Sequence, residues 1–268
     1  MSGLATRLGI FARTFVRARP AEVSAAVRAA GYACAHWNFR AIGLPTLASG
    51  VDSAVFSDLR RAFAADGLRI PSVSATFNAL EPGADDVRDA VRLIGSAPLL
   101  GADVVTLCTG TRDRTDMWRA HPDNSGALAW RDLRATLEPL LVAADAAGVV
   151  LGVEPEAGNV VSDAHAAARL LAELGDDAPV GIVFDAANLL SPGAPQADVL
   201  TEAADLLGPR VVSVHAKDFD TLDRQLLWRL LDRMPPVPVI VQDVSEQDAA
   251  AVRTGLLANH VVDSKTTC

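Results

Sequence analysis

The sequence predicts an α/β protein built as a single (β/α)8 barrel. Three observations lead there. Short apolar runs rich in β-branched residues alternate with Ala/Leu/Arg-rich amphipathic stretches along the whole chain. The chain has 268 residues, half of them hydrophobic, which suits a barrel of about 250 residues carried as one domain. Glu154, Asp185 and His215 close three successive apolar runs at steps of 31 and 30 residues, roughly one strand–helix–strand repeat.

The elements follow in order. RLGIF (7–11) reads as the first strand, and PAEVSAAVRAAG as a helix with Pro20 in its first turn and Gly31 after its end. YACAHW (32–37), LRIPSVSA (68–75) and ADVVTLC (102–108) supply strands two to four. LRATLEPLLVAADAAG is a further helix, closing at Gly148. VVLGVE (149–154), VGIVFD (180–185) and RVVSVH (210–215) are nearly continuous apolar runs, as expected of parallel strands buried on both faces. VPVIVQ (237–242) is the eighth. An open doubly wound sheet is the competing arrangement. It usually carries a Gly-rich phosphate turn after the first strand, and GIFARTFVRARP has none. No linker or low-complexity tract divides the chain, so the barrel is assigned to 1–258 and NHVVDSKTTC (259–268) to a loosely held C-terminal tail. The longest connection, TGTRDRTDMWRAHPDN, follows the fourth strand and is expected to cover a substrate.

Composition narrows the partners. A net charge of −9 argues against nucleic acid and anionic membranes. Cys34, Cys108 and Cys268 are odd in number, far apart and without zinc-finger spacing, which fits a reduced compartment. No apolar run approaches the roughly 18 residues of a membrane span, and the arginine-bearing N-terminus lacks a secretory apolar core. The expectation is a cytoplasmic protein acting on a small molecule, with homo-oligomerisation left open. Walker A, Rossmann, HExxH, G-x-S-x-G and paired CxxC motifs do not occur.

Parallel α/β proteins place their sites at the C-terminal edge of the sheet, where Glu154, Asp185 and His215 would meet. Two hard carboxylate oxygens and an imidazole nitrogen form a ligand set for a divalent metal, with Mn, Mg, Co and Zn not distinguished. Capping of neighbouring helices or pairing with arginine is the alternative use of such residues.

EPEAGNVVSD, FDAANLLSPG and SVHAKD resemble the end-of-strand motifs of the xylose isomerase-like TIM barrels. That superfamily includes sugar isomerases, ketose 3-epimerases, inosose dehydratases and the endonuclease IV fold. SVSATFNALEP, TLCTGTRDRTDMWRAHPDN and VIVQDVSEQD resemble a bacterial subgroup called sugar phosphate isomerase/epimerase. The resemblance implies that Glu154, Asp185 and His215 ligate metal and that Glu154 also moves a proton. It implies a fourth ligand from the eighth strand, which in the epimerases is a glutamate serving as the opposing acid/base. Here the matching residue is Gln242, which can offer an amide oxygen but no titratable proton. The following Asp243 can substitute only if the strand has already ended. Glu81 and Lys217 are the other candidates for proton transfer, Glu81 because this subgroup often has a histidine there.

Further residues fall on the same edge. Trp37, Asn78, Arg112, Trp118, His121, Asn188 and Asp218 are candidate substrate contacts, Trp faces packing on sugar rings and polar groups meeting hydroxyls or a phosphate. Core packing is the alternative for Trp37, loop fixation for His121, and a solvated pair for Arg112 with Asp113. Asn188 and Asn159 follow ligand carboxylates closely and are expected to orient them. After HAKD the chain enters helical periodicity within a few residues, with Asp220 or Thr221 as N-cap, where the family usually has a longer loop. The leading functional expectation is a metal-dependent isomerase or epimerase acting on a small polyhydroxylated substrate. A lyase or dehydratase on the same scaffold needs only one base. A barrel that binds without turnover is the third reading, and a repair nuclease the last, since five histidines and net −9 suit it poorly.

Overall fold

Every one of the eight apolar runs forms a parallel strand in the computed structural model, which describes residues 3–190 and 193–263. The strands are β1 (Leu8–Phe11), β2 (Cys34–Trp37), β3 (Arg69–Ser74), β4 (Val104–Cys108), β5 (Val150–Glu154), β6 (Val180–Asp185), β7 (Val211–Ala216) and β8 (Val239–Val241). They pair in chain order, and β8 returns to β1 with Gly9 level with Ile240, so the sheet closes into a barrel. Closure removes the exposed edges of an open sheet.

Helices cover the outside. They are α1 (Pro20–Ala29), α2 (Ser53–Ala65), α3 (Asp86–Leu100), α4 (Ala127–Ala147), α5 (Ala164–Leu174), the single turn α6 (Ala186–Leu189), α7 (Gln196–Leu207), α8 (Arg224–Leu231) and α9 (Ala249–Asp263). Pro20 occupies the first turn of α1 as expected, and α4 ends at Gly148 with φ 67°. The helix α9 continues past residue 258 to Asp263, and residues 264–268 of the expected tail lie outside the described residues. The N-cap of α8 is a correction. Asp223, not Asp220 or Thr221, accepts the Leu226 N–H, because the Asp218 carbonyl has already drawn the Thr221 and Leu222 N–H groups into a turn. No helix among the described residues is long and apolar enough to cross a membrane.

Alternation along each strand decides what faces the barrel interior. Two register shifts alter that alternation. Between β6 and β7, Ile182 is level with Val211 while Val183 is level with Ser213, so Val212 is an extra residue. Without it Asp185 would stand opposite Val214; with it Asp185 stands opposite His215. Between β2 and β3 a similar shift sets His36 level with Ser72. Gly181 accommodates the first bulge, since a Cβ there would come within 2.4 Å of Val212 Cγ1 and 2.8 Å of the Arg210 carbonyl.

Gly181→Ala is therefore expected to destabilise the barrel by about 1–3 kcal/mol through overpacking, read as a lower urea midpoint with unchanged slope.

Candidate active site

The C-terminal mouth of the barrel holds a cavity of about 500 Å³. Glu154 ends β5, Asp185 ends β6 and His215 lies near the end of β7. One ligand atom from each lies within 4.8 Å of the other two, and all three residues are buried. His215 Nδ1 is 3.0 Å from Glu154 Oε1 and 2.8 Å from the Gln242 amide nitrogen. Nδ1 cannot both donate to Glu154 and accept from Gln242. Turning the amide removes the conflict, since a protonated Nδ1 can then donate to both Glu154 and the Gln242 amide oxygen. Three ligand atoms, from Glu154, Asp185 and His215, converge on one buried spot and fit a divalent cation, with the Gln242 amide beside His215 as a further candidate. Asp185 Oδ1 also accepts from the Ala187 and Asn188 N–H groups at the start of α6, which fixes its rotamer.

Charge is balanced locally. Lys217 Nζ lies 3.0 Å from Asp185 Oδ2. Burial opposes its charge, yet Asp185 and Glu154 outweigh that and raise its pKa, so it stays cationic. Burial and the Glu154 charge push Asp185 up to about 6, against the pull of Lys217. Burial also opposes charge on Glu154, but His215 and Lys217 keep its pKa below the ordinary value. The same two carboxylates hold His215 above its usual pKa despite burial.

Several residues on the cavity wall carried no sequence expectation. His36 is fully enclosed, its Nδ1 2.7 Å from Ser72 Oγ and its ring edge-on to His215 at 5.5 Å. Burial and His215 hold it neutral, well below its usual pKa. Glu156 lines the cavity, and burial with the Glu154 charge raises its pKa to about 7. Arg13, Arg40 and Met117 also line it. Strand alternation is the signal that could have found His36, one residue before the outward Trp37.

Of the sequence candidates, Glu154, His215, Lys217, Gln242 and Trp118 line this cavity. Trp118 is half exposed at the rim. Its loop is pressed against the one after β5, where a Cβ on Gly158 would meet the Trp118 carbonyl at 2.0 Å. Asn188 donates to Glu154 Oε1 at 3.3 Å, so it orients that carboxylate.

Trp37, Asn78, Glu81, Arg112, His121 and Asp218 do not line the cavity. Trp37 is fully buried on the outer face of β2, packed edge-on to Phe39 and Phe63. Arg112 forms ion pairs with Glu81 at 2.6 Å and with Asp132, and Glu81 also binds Arg114, so both serve loop structure and Glu81 is no free base. Asn78 ties the β3 and β4 loops through the Thr111 backbone. Asn159 likewise bridges Gly110 N–H and the Met117 carbonyl, leaving Asp185 and Glu154 untouched. His121 caps its own turn by accepting from Asp123 N–H. Asp218 is exposed, with φ 52°, and acts through its backbone carbonyl. Meanwhile β8 ends at Val241, and Asp243, with φ 53°, joins Gln242 on the cavity wall.

A closed parallel barrel with a carboxylate–imidazole cluster at its C-terminal mouth defines a (β/α)8 protein with its site at the usual end of the fold. More narrowly, the chain belongs to the xylose isomerase-like TIM barrel family, which it matches over residues 25–236. No functionally curated protein matches the sequence. Among solved structures it is similar to 3-keto-D-glucoside 4-epimerase from E. coli, with 15% identity, 94% of this chain and 99% of that one covered, and a TM-score of 0.72. L-ribulose 3-epimerase is similar at 16% identity, 98% of each chain and a TM-score of 0.74. A xylose isomerase-like TIM barrel protein from Mycobacterium smegmatis in complex with magnesium is similar at 20% identity, 89% and 87% coverage and a TM-score of 0.67.

The Glu81 pair makes a pH prediction. The Arg112 hydrogen bond is the largest cause holding its pKa below the ordinary value, against some burial. A depressed native pKa stabilises above the unfolded value, and that stabilisation is lost as pH falls through the native one. Glu81→Gln should lower Tm by about 2–4 °C at neutral pH, and the gap should begin to narrow as pH falls below about 4, followed by thermal scans across pH.

Proposed function

We propose that this barrel is a metal-dependent isomerase or epimerase acting on a small polyhydroxylated substrate. The convergence of Glu154, Asp185 and His215 on one buried point beside the cavity carries this reading. The likeness to two sugar epimerases and to a magnesium-bound relative supports it. A bound divalent cation would supply Lewis acidity, making the C–H beside a substrate carbonyl easier to deprotonate.

The chain's own residues divide the remaining work. Glu154, kept ionised by His215 and Lys217, is the carboxylate placed to accept that proton. Lys217 remains cationic and offsets negative charge developing on the substrate. Glu156, with its pKa near 7, faces the same cavity as a group able to hold or release a proton near neutral pH. His36 stays neutral, its ring nitrogens engaged by Ser72 and Thr106, and forms part of the wall. Met117 and Trp118, from the long β4 loop, line the mouth on that side.

Gln242 favours a second reading. It has no proton to exchange, so chemistry requiring one base, such as loss of water from a polyol, fits the same machinery.

Three experiments test these readings. Purified protein should bind Mn²⁺, and Glu154→Gln should lower turnover by about 10²-fold or more; retention of full activity would exclude Glu154 as the base. An isobaric product supports isomerisation, while loss of water supports the lyase. Gln242→Glu should tighten Mn²⁺ binding about tenfold or more, measured by titration, and appearance of activity only in that variant would mark the natural chain as a non-catalytic barrel.

A further inference from the structure

We infer that the substrate of this pocket carries a terminal anionic group, a carboxylate or a phosphate, held by Arg13 and Arg40 at the β1–β2 side of the mouth. The inference deepens the proposed function and rests on its placing substrate in this cavity. Both arginines line the same cavity as Glu154 and Lys217. Arg13 follows β1, with its guanidinium carbon 5.0 Å from the centre of the Phe11 ring. Arg40 follows β2, its Nε held by Thr46 Oγ1 at 3.3 Å and its backbone N–H by Asn38 Oδ1 at 2.9 Å. These contacts orient both side chains and leave terminal guanidinium N–H groups free for a ligand.

What sets these two exposed arginines apart is that they reach the cavity wall without an acidic partner. Among the described residues neither forms an ion pair, whereas Arg112, Arg114 and Arg119 of the long β4 loop are each matched to a carboxylate. In a chain of net charge −9, carboxylates are plentiful. Two unmatched guanidinium groups on one cavity wall form a local positive field suited to bidentate recognition of a planar or tetrahedral oxyanion.

The opposite wall has the other sign. Glu154 and Glu156 face the cavity there, with Asp185 behind them and Lys217 as the local cation. Asp243 follows β8, which pairs with β1, and is an exposed carboxylate at the rim on the arginine side. An anionic end is repelled from the acidic wall and drawn to the arginines, which turns the polyhydroxylated end toward Glu154. A volume of about 500 Å³ is ample for such a molecule.

The test compares ribitol, ribonate and ribitol 5-phosphate, which differ only in the terminal group, by isothermal titration of the full chain with and without Mn²⁺. At least one anion should bind about tenfold or more tightly than ribitol, and the preference should shrink as salt is raised. The tighter of the two anions identifies the group as carboxylate or phosphate. The double variant Arg13→Ala, Arg40→Ala should bind all three ligands alike while keeping the wild-type circular dichroism and Mn²⁺ affinity. Equal affinity of the wild type for the three, no binding of either anion at about 10 mM, or a preference surviving in the double variant overturns the inference. If Mn²⁺ fails to bind but the arginine-dependent preference holds, the metal reading falls and this one stands. If Mn²⁺ binds without any anion preference, the reverse is true.

Discussion

Closure of eight parallel strands constrains everything else in this molecule. An open sheet tolerates a slip of one residue at its edge, but a closed barrel passes each register on to the next pair until β8 meets β1. The level of every inward side chain is thereby tied to that of its neighbours. The extra residue Val212 in β7 shows the consequence most directly. It changes which face His215 presents, and only then do Asp185 and His215 stand side by side. Gly181 exists within that same constraint, because a methyl group at this position would occupy the space of Val212 and the Arg210 carbonyl. Packing below the site thus determines the chemistry possible at its surface.

A cluster assembled this way carries an electrostatic cost. Two carboxylates buried together repel each other, and both lose hydration. The structure offsets this with Lys217 against Asp185 and with His215 against Glu154. The unresolved demand at His215 Nδ1, approached by a carboxylate oxygen and an amide nitrogen, remains unless a cation or a turned amide satisfies it. The neutral His36 edge-on to His215 adds no charge of its own. Each of the two buried carboxylates thus has its own partner, and neither needs the arginines across the cavity.

The fold was legible because buried parallel strands announce themselves as apolar runs, and all eight runs became strands. The convergence of Glu154, Asp185 and His215 was legible for the same reason: each follows an apolar run at one repeat spacing. Legibility failed where a residue's direction depended on strand parity. Trp37 and His36 are adjacent, and only the register with β1 and β3 decides that His36 faces inward. It failed again in loops, where Arg112, Glu81, Asn78 and His121 have ligand-like chemistry but are engaged by one another or by nearby backbone. Composition alone does not reveal which polar groups a loop has already satisfied. The value of Arg13 and Arg40 appears only in contrast with those paired loop residues.

The departure at strand eight looks different once its backbone is considered. A regular strand would send Gln242 and Asp243 to opposite faces, so that losing a carboxylate at 242 would leave the β8 side of the site without one. Here β8 is only three residues long and ends at Val241. Asp243 then adopts a left-handed conformation, one that aspartate tolerates better than most residues. The result is that the amide and the carboxylate both line the cavity, the amide buried against His215 and the carboxylate out at the rim. The eighth strand is therefore followed by an amide at the buried cluster and a carboxylate at the rim. Gln242 sets a neutral amide against His215, while negative charge at this edge lies outward toward solvent. Such a division lowers the charge repulsion among Glu154, Asp185 and their neighbours, and it removes the titratable group from the position closest to His215.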